Sequence, residues 1–333
     1  MFKKIAVPLD GSALAEKALP FAIGLANRLN ATLLLLRVTH LAGIVVDTVD
    51  RELESLERAE TYLDDLKRTI TDPGWSNSLE AEQVEAVVVY GETAPELIEM
   101  TPFEKADLLV MTTHGRTGIG RLLLGSVANK VLRQSKLPVL LIKPEKPKTS
   151  PFLEVTLTES NYFSGPENKI LVTLDGTPEA EAILESAIQM AKETKATLHL
   201  LAVVLPFTPV DFGGGYYSYG VNLTDDTERR AAEANQYLEH IQKRLFQQGV
   251  QTTALVKIGN PTEEIMIYAG EIKAGMLAIA SAARSTVGKF FLGSVTDEVL
   301  RKSHLPILMV HSTAPVKEMS DREILEKHST SKV

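Results

Sequence analysis

Apolar and polar positions along this chain fall into blocks that switch repeatedly between two periods. Short runs that are apolar on both faces occur at Lys4–Asp10, Ala31–Val38, Val84–Val89, Leu108–Met111 and Val139–Ile142, and each predicts a buried strand. Between them the apolar residues recur at helical spacing. From Ala13 to Leu29 the positions Leu14, Ala18, Phe21, Ala22, Leu25 and Leu29 share one face. Asp47–Ile70 predicts a charged amphipathic helix, stopped by Asp72-Pro73-Gly74. A third helix follows Gly91-Glu92-Thr93-Ala94-Pro95 and runs to about Phe103. A fourth opens at Gly125-Ser126, with Val127, Val131 and Leu132 on one side. Strands alternating with helices predict an α/β fold, a parallel sheet covered on both faces.

The series then starts again. Lys169–Thr177 (KILVTLDGT) matches the opening strand 165 residues later, and Ala196-Thr197-Leu198 matches Ala31-Thr32-Leu33 at the same offset. Ile258-Gly259-Asn260 repeats Tyr90-Gly91-Glu92 at an offset of 168. Between Leu122–Ile142 and Phe290–Val310, 11 of 21 positions are identical, so the chain is a tandem duplication of one five-stranded unit. The expected boundaries are residues 1–145 and 167–313 for the two units, 146–166 for a Pro-, Lys- and Ser-rich linker, and 314–333 for a polar tail. The second unit also carries an insertion, Pro206–Leu223, with three consecutive glycines and three tyrosines. A flap over a ligand, an interaction surface and a disordered loop are its competing readings.

Chemistry concentrates in Asp107–Ile142. A strand ends in Thr112-Thr113-His114, a loop carries Gly115, Gly118 and Gly120, and a helix begins at Gly125-Ser126. Glycines let a backbone approach an anion, and the first amides of a helix lack internal partners and favour negative charge. The competing reading makes Ser126 a helix cap and the glycines a surface loop. Asp10, at the end of the first strand, could accept from a ribose hydroxyl or an amine, or could instead cap the next helix through Gly11-Ser12. Arg116 offers charge-assisted donors or is a solvated surface charge.

Composition narrows the partners. The chain has 333 residues, a net charge of -8 and no cysteine. Acidity argues against nucleic acid and anionic membrane, and the absence of thiols excludes disulfides and thiolate metal centres. No 18-residue apolar run exists, so no membrane insertion is expected, and the predicted location is the cytoplasm.

These residues resemble the universal stress protein family over nearly the whole chain, twice. Nucleotide-binding members show G-x2-G-x9-G-[ST]; Gly115, nine residues, then Gly125-Ser126 match its second half, while Thr112 stands at the first glycine. The resemblance implies two tandem Rossmann-like (adenine nucleotide alpha hydrolase-like) domains, each a five-stranded parallel sheet with helices on both faces. It implies binding of ATP or another adenine nucleotide by a stress-response regulator or sensor. Pro8, Leu9 and Asp10 would flank base or ribose, Val38 would face the adenine, and Gly115, Arg116, Gly125, Ser126 and Val127 would hold phosphates. Magnesium would arrive with the nucleotide. The second unit keeps Asp175, Val203, Arg284, Gly293 and Ser294, but Ala280, Ala282 and Ala283 replace Thr112, His114 and Gly115, which predicts a weaker site.

No catalytic set can be assigned. His114 could polarise a phosphate or orient the loop, so slow ATP hydrolysis is the most to expect, and a nucleotide-independent scaffold is the other alternative. The last strands, Val139–Ile142 and Ile307–Val310, would leave apolar sheet edges in isolated units. Members of the family that the chain resembles commonly dimerise through this strand, so the resemblance implies an internal pseudo-dimer, with a homodimer of whole chains as a further step.

Overall fold

The computed structural model describes residues 2–39, 48–75, 77–113, 124–143, 168–206, 223–282 and 292–312. The predicted linker and tail, most of the glycine loop and the Tyr-Gly insertion lie outside them.

The first unit runs β1 (Lys4–Pro8), α1 (Leu19–Leu29), β2 (Thr32–Thr39), α2 (Thr48–Ile70), β3 (Val84–Tyr90), α3 (Thr93–Phe103), β4 (Leu108–Thr112), α4 (Ser126–Gln134) and β5 (Val139–Ile142). The second runs β6 (Lys169–Thr173), α5 (Pro178–Glu181), α6 (Ile183–Thr194), β7 (Thr197–Val204), α7 (Leu223–Gln247), β8 (Thr252–Ile258), α8 (Pro261–Glu271), β9 (Met276–Ala282), α9 (Ser294–Lys302) and β10 (Ile307–Ser312). One expectation needs correcting. The helix read from Ala13 is split into a 3-10 turn at Ala15–Ala18 and α1, with Pro20 in the first turn of α1. Proline has no N–H to continue an α-helical ladder from upstream, so the chain tightens and restarts. Asn30 and Lys195 end α1 and α6 in left-handed conformations, each returning its N–H to the last turn.

All strands join one ten-stranded sheet, in the order β3-β2-β1-β4-β5-β10-β9-β6-β7-β8. Every neighbouring pair is parallel except β5 and β10. Leu33 to Leu36 of β2 are all fully buried, because helices cover both faces of the sheet. Helices α1, α2, α6 and α7 pack on one face and α3, α4, α8 and α9 on the other.

The two units meet along β5 and β10, which pair antiparallel with Leu140 opposite Leu308. The two predicted edges therefore satisfy each other, and the internal pseudo-dimer takes the form of a continuous sheet. Lys143 crosses the seam and donates to the carbonyls of Arg301 and, at 3.0 Å, Ser303, where α9 ends. An ammonium group at a helix C-terminus is favourable, although burial pushes this lysine below its ordinary value.

Candidate functional site

In each unit the strand order reverses direction beside the first strand, so the connections from β1 and β4 leave on opposite faces. A crevice opens there at the strands' carboxyl ends. In the first unit it is a cavity of about 520 Å³ over the ends of β1, β2 and β4. Pro8, Leu9 and Asp10 line it from β1, Val38 from β2, Thr112 from β4, and Gly125, Ser126 and Val127 from the start of α4. Eight residues singled out in the sequence thus share one space. His114, Gly115, Arg116 and Arg284 lie outside the described residues.

The walls are tied together by backbone. Leu9 N–H donates to Leu36 C=O at 2.8 Å, which fixes the end of β1 against β2. Gly125 N–H donates to Thr113 C=O at 2.8 Å, and Thr113 N–H donates to Ile142 C=O at 3.0 Å. The start of α4 is therefore pinned to the tip of β4, and that tip to β5.

The structure decides against the capping reading of Ser126. Gly125 occupies the N-cap position, no side chain among the described residues caps α4, and Ser126 is the first helical residue, exposed and lining the cavity. By helix geometry the amides of Ser126, Val127 and Ala128 have no intrahelical acceptor, and all three residues line the cavity. The first turn of α4 holds no acidic residue. This is an anion-favouring helix end.

Asp10 does two things. Its Oδ1 accepts from Ser12 N–H at 2.9 Å and from Ser12 Oγ at 2.6 Å, and Ser12 Oγ accepts from Ala15 N–H at 3.2 Å. The carboxylate thus shapes the turn after β1 while facing the cavity. Asp175 makes the same turn with Thr177, at 3.0 and 2.6 Å, so this turn belongs to the fold and not to a ligand.

Sequence reasoning passed over several lining residues. Thr39, Thr93, Leu97, Met111 and Thr113 add apolar and hydroxyl surface, Ser55 reaches in from α2, and Arg37 contributes a cation. Arg37 is the next-to-last residue of an apolar run, where a long side chain ordinarily reaches solvent, so no pattern marked it. Its guanidinium carbon lies 4.7 Å from the ring centroid of Tyr62 on α2, and Tyr62 Oη donates to Glu16 at 2.8 Å. Burial, with Glu16 beside it, pushes the Tyr62 hydroxyl well above the ordinary tyrosine range.

In the second unit Gly293 and Ser294 again open a helix, Val203 lies at the end of β7, and Asp175 is exposed. Here the first turn of the helix carries Asp297, which opposes an anion. Among the described residues no group of three or more His, Cys, Asp or Glu side chains is placed to hold a metal ion, and no helix is long and apolar enough to cross a membrane.

The model of the universal stress protein family matches residues 1–143 and again 167–311. The chain belongs to the universal stress protein family. Two sets of matched residues on one chain make it a tandem member. Universal stress protein MJ0531 of Methanocaldococcus jannaschii is 33% identical over 153 residues, covering 44% of this chain and 85% of that protein. Universal stress protein YxiE of Bacillus subtilis is 30% identical over 145 residues, covering 43% and 98%. A universal stress protein from Archaeoglobus fulgidus matches in structure over 92% of this chain and 98% of its own, with a TM-score of 0.64 at 22% identity. That last likeness concerns the fold.

Proposed function

We propose that the N-terminal unit binds ATP or another adenine nucleotide, and that occupancy sets the shape or partner choice of a stress-response regulator. The observation that supports this reading best is the cavity itself. It joins an uncapped helix N-terminus at one end to the tips of β1 and β2 at the other, at the place where open α/β sheets take ligands. In this reading the amides of α4 hold phosphate, Pro8, Leu9 and Asp10 flank the sugar, and Val38 borders the base. His114, Gly115 and Arg116 would complete the phosphate end. Magnesium would be held by phosphate oxygens and water, since the described residues offer no carboxylate cluster for it.

Ser126→Pro tests the reading closely. Proline is well tolerated at the first helical position, and Gly125 already has the extended conformation that a following proline demands. The substitution removes one amide donor and the hydroxyl while leaving α4 in place. ATP affinity, measured by calorimetric titration, should fall by about tenfold or more, the loss expected for a hydrogen bond to a charged group. Mass spectrometry of ligand released from gently purified protein is the companion measurement. An unaltered protein that neither carries nor takes up any adenine nucleotide sinks the proposal.

The second unit favours the scaffold role. Its helix start bears Asp297, and Ala202 stands where β2 has Arg37. Its contribution is the paired strand β10, which completes the sheet of its neighbour.

A further inference from the structure

The ten-stranded sheet ends on β3 and β8, each of which has a neighbour on one side only among the described strands. An open edge presents unpaired backbone donors and acceptors, and proteins ordinarily guard it with charge. β8 is guarded. Its Lys257 stands 3.6 Å from Glu271 and 4.0 Å from Glu264, both on α8. These contacts lay a charged network along that rim of the second unit.

β3 holds the same place in the first unit, at the offset of 168 that relates Gly91 to Gly259. There Val89 stands for Lys257, and Phe103 at the end of α3 stands for Glu271. Phe103 is 75% exposed, Tyr90 is 37% exposed, and Val87, Val88 and Val89 are partly buried. The one charge on β3, Glu85, is drawn to Lys4 of β1 at 2.6 Å. The first unit thus leaves an apolar strand, VEAVVVY, on an open edge where its duplicate carries ion pairs. The fold packs either way, so packing within the unit does not demand the apolar strip.

We propose that β3 is an interface for a second copy of this chain, the two β3 strands pairing antiparallel about a two-fold axis at Val87. In that register Val84 of one copy faces Tyr90 of the other, Ala86 faces Val88, and Glu85 faces Val89. Apolar residues meet, and no like charges stand directly opposite each other. A chain with a net charge of -8 approaches its own copy most easily where it carries least charge. The new pair also continues the existing sheet, which already closes one like edge on another, antiparallel, at β5 and β10.

The test exploits the absence of cysteine from the chain. Val87→Cys sets a thiol on the axis, opposite its own copy and within reach of a disulfide. Leu255→Cys, the matching position on β8, is the control. On oxidation of the full chain the first should cross-link into dimers and the second should not. Sedimentation velocity of the unaltered chain should show dimers between about 1 and 100 µM. Val89→Lys should raise the dissociation constant by about tenfold or more, because an ammonium group would have to leave water. β8 folds with a lysine at that position, so the thermal unfolding of Val89→Lys should stay close to that of the unaltered protein. A chain that is monomeric throughout that range overturns the proposal and leaves the strip to a different protein. Cross-linking of Val87→Cys to Leu255→Cys in a mixture of the two overturns it as well, since β8 would then lie against β3. So does a dimer that Val87→Cys does not trap and Val89→Lys does not weaken.

Discussion

His199 shows how a single side chain escapes pattern reading. It stands on β7 where the first unit has Leu34, inside an otherwise apolar run, and is 9% exposed. Its Nδ1 lies 2.8 Å from Thr253 Oγ1 and 3.4 Å from Tyr268 Oη, so a polar partner on the edge strand and another on α8 accommodate it. Burial, with Lys169 nearby, pushes its pKa below the ordinary 6.5. The sign follows from linkage: the unfolded chain takes up a proton at higher pH than the folded one. Stability is therefore complete above about pH 6.5 and is lost as pH falls through that value toward the depressed folded pKa. His311, depressed by burial on β10, acts in the same sense. His199→Leu should make the urea midpoint depend less on pH between 7 and 5, with His311 retaining part of the slope. An unchanged slope would show that His199 does not contribute. Residue-level meaning was partly legible: Gly125, Ser126 and Asp10 could be picked out by type and spacing. That Gly125 rather than Ser126 sits at the cap, and that Arg37 turns inward, depended on packing across elements far apart in sequence.

Elements were far easier to read than residues, because period and punctuation are local. The strands were found from runs such as Leu33–Leu36, and α2 from its stop at Asp72-Pro73-Gly74. The split before α1 was missed because apolar spacing continued through Pro20, and the missing amide outweighed the spacing. The strongest element-level inference concerned β5 and β10, whose apolar character demanded a partner before any partner was visible. Leu308 is fully buried on β10 and faces Leu140 across the seam. Leu308→Ala should cost about 2–5 kcal/mol in chemical denaturation, because both units pack around that row. Leu205→Ala, at 56% exposure, should change stability by no more than about 0.5 kcal/mol. Equal effects at the two positions would mean that the seam is not a core.

At the scale of the molecule, the duplication was legible because two long stretches agree in register, a signal no single motif provides. Its geometric product, one sheet of ten strands, follows from closing two like edges on each other. The asymmetry between the units was only half visible. Alanines replacing Thr112, His114 and Gly115 announced it in the sequence, whereas the acidic Asp297, where the first unit has Asn129, gained its meaning from the fold. Titration with ATP should give about one tight site per chain, since Ala283 stands where Gly115 stands and Asp297 enters the first turn of α9. Two sites of equal affinity would contradict that asymmetry.

The antiparallel seam carries one more consequence. A symmetric homodimer writes every substitution into both halves at once, so a change that spoils a pocket spoils it twice. Here the partner is covalently supplied, and the contacts of Leu140 with Leu308 and of Lys143 with the end of α9 persist whatever happens at the far crevices. One half is then free to drift toward a different task while the other stays under constraint.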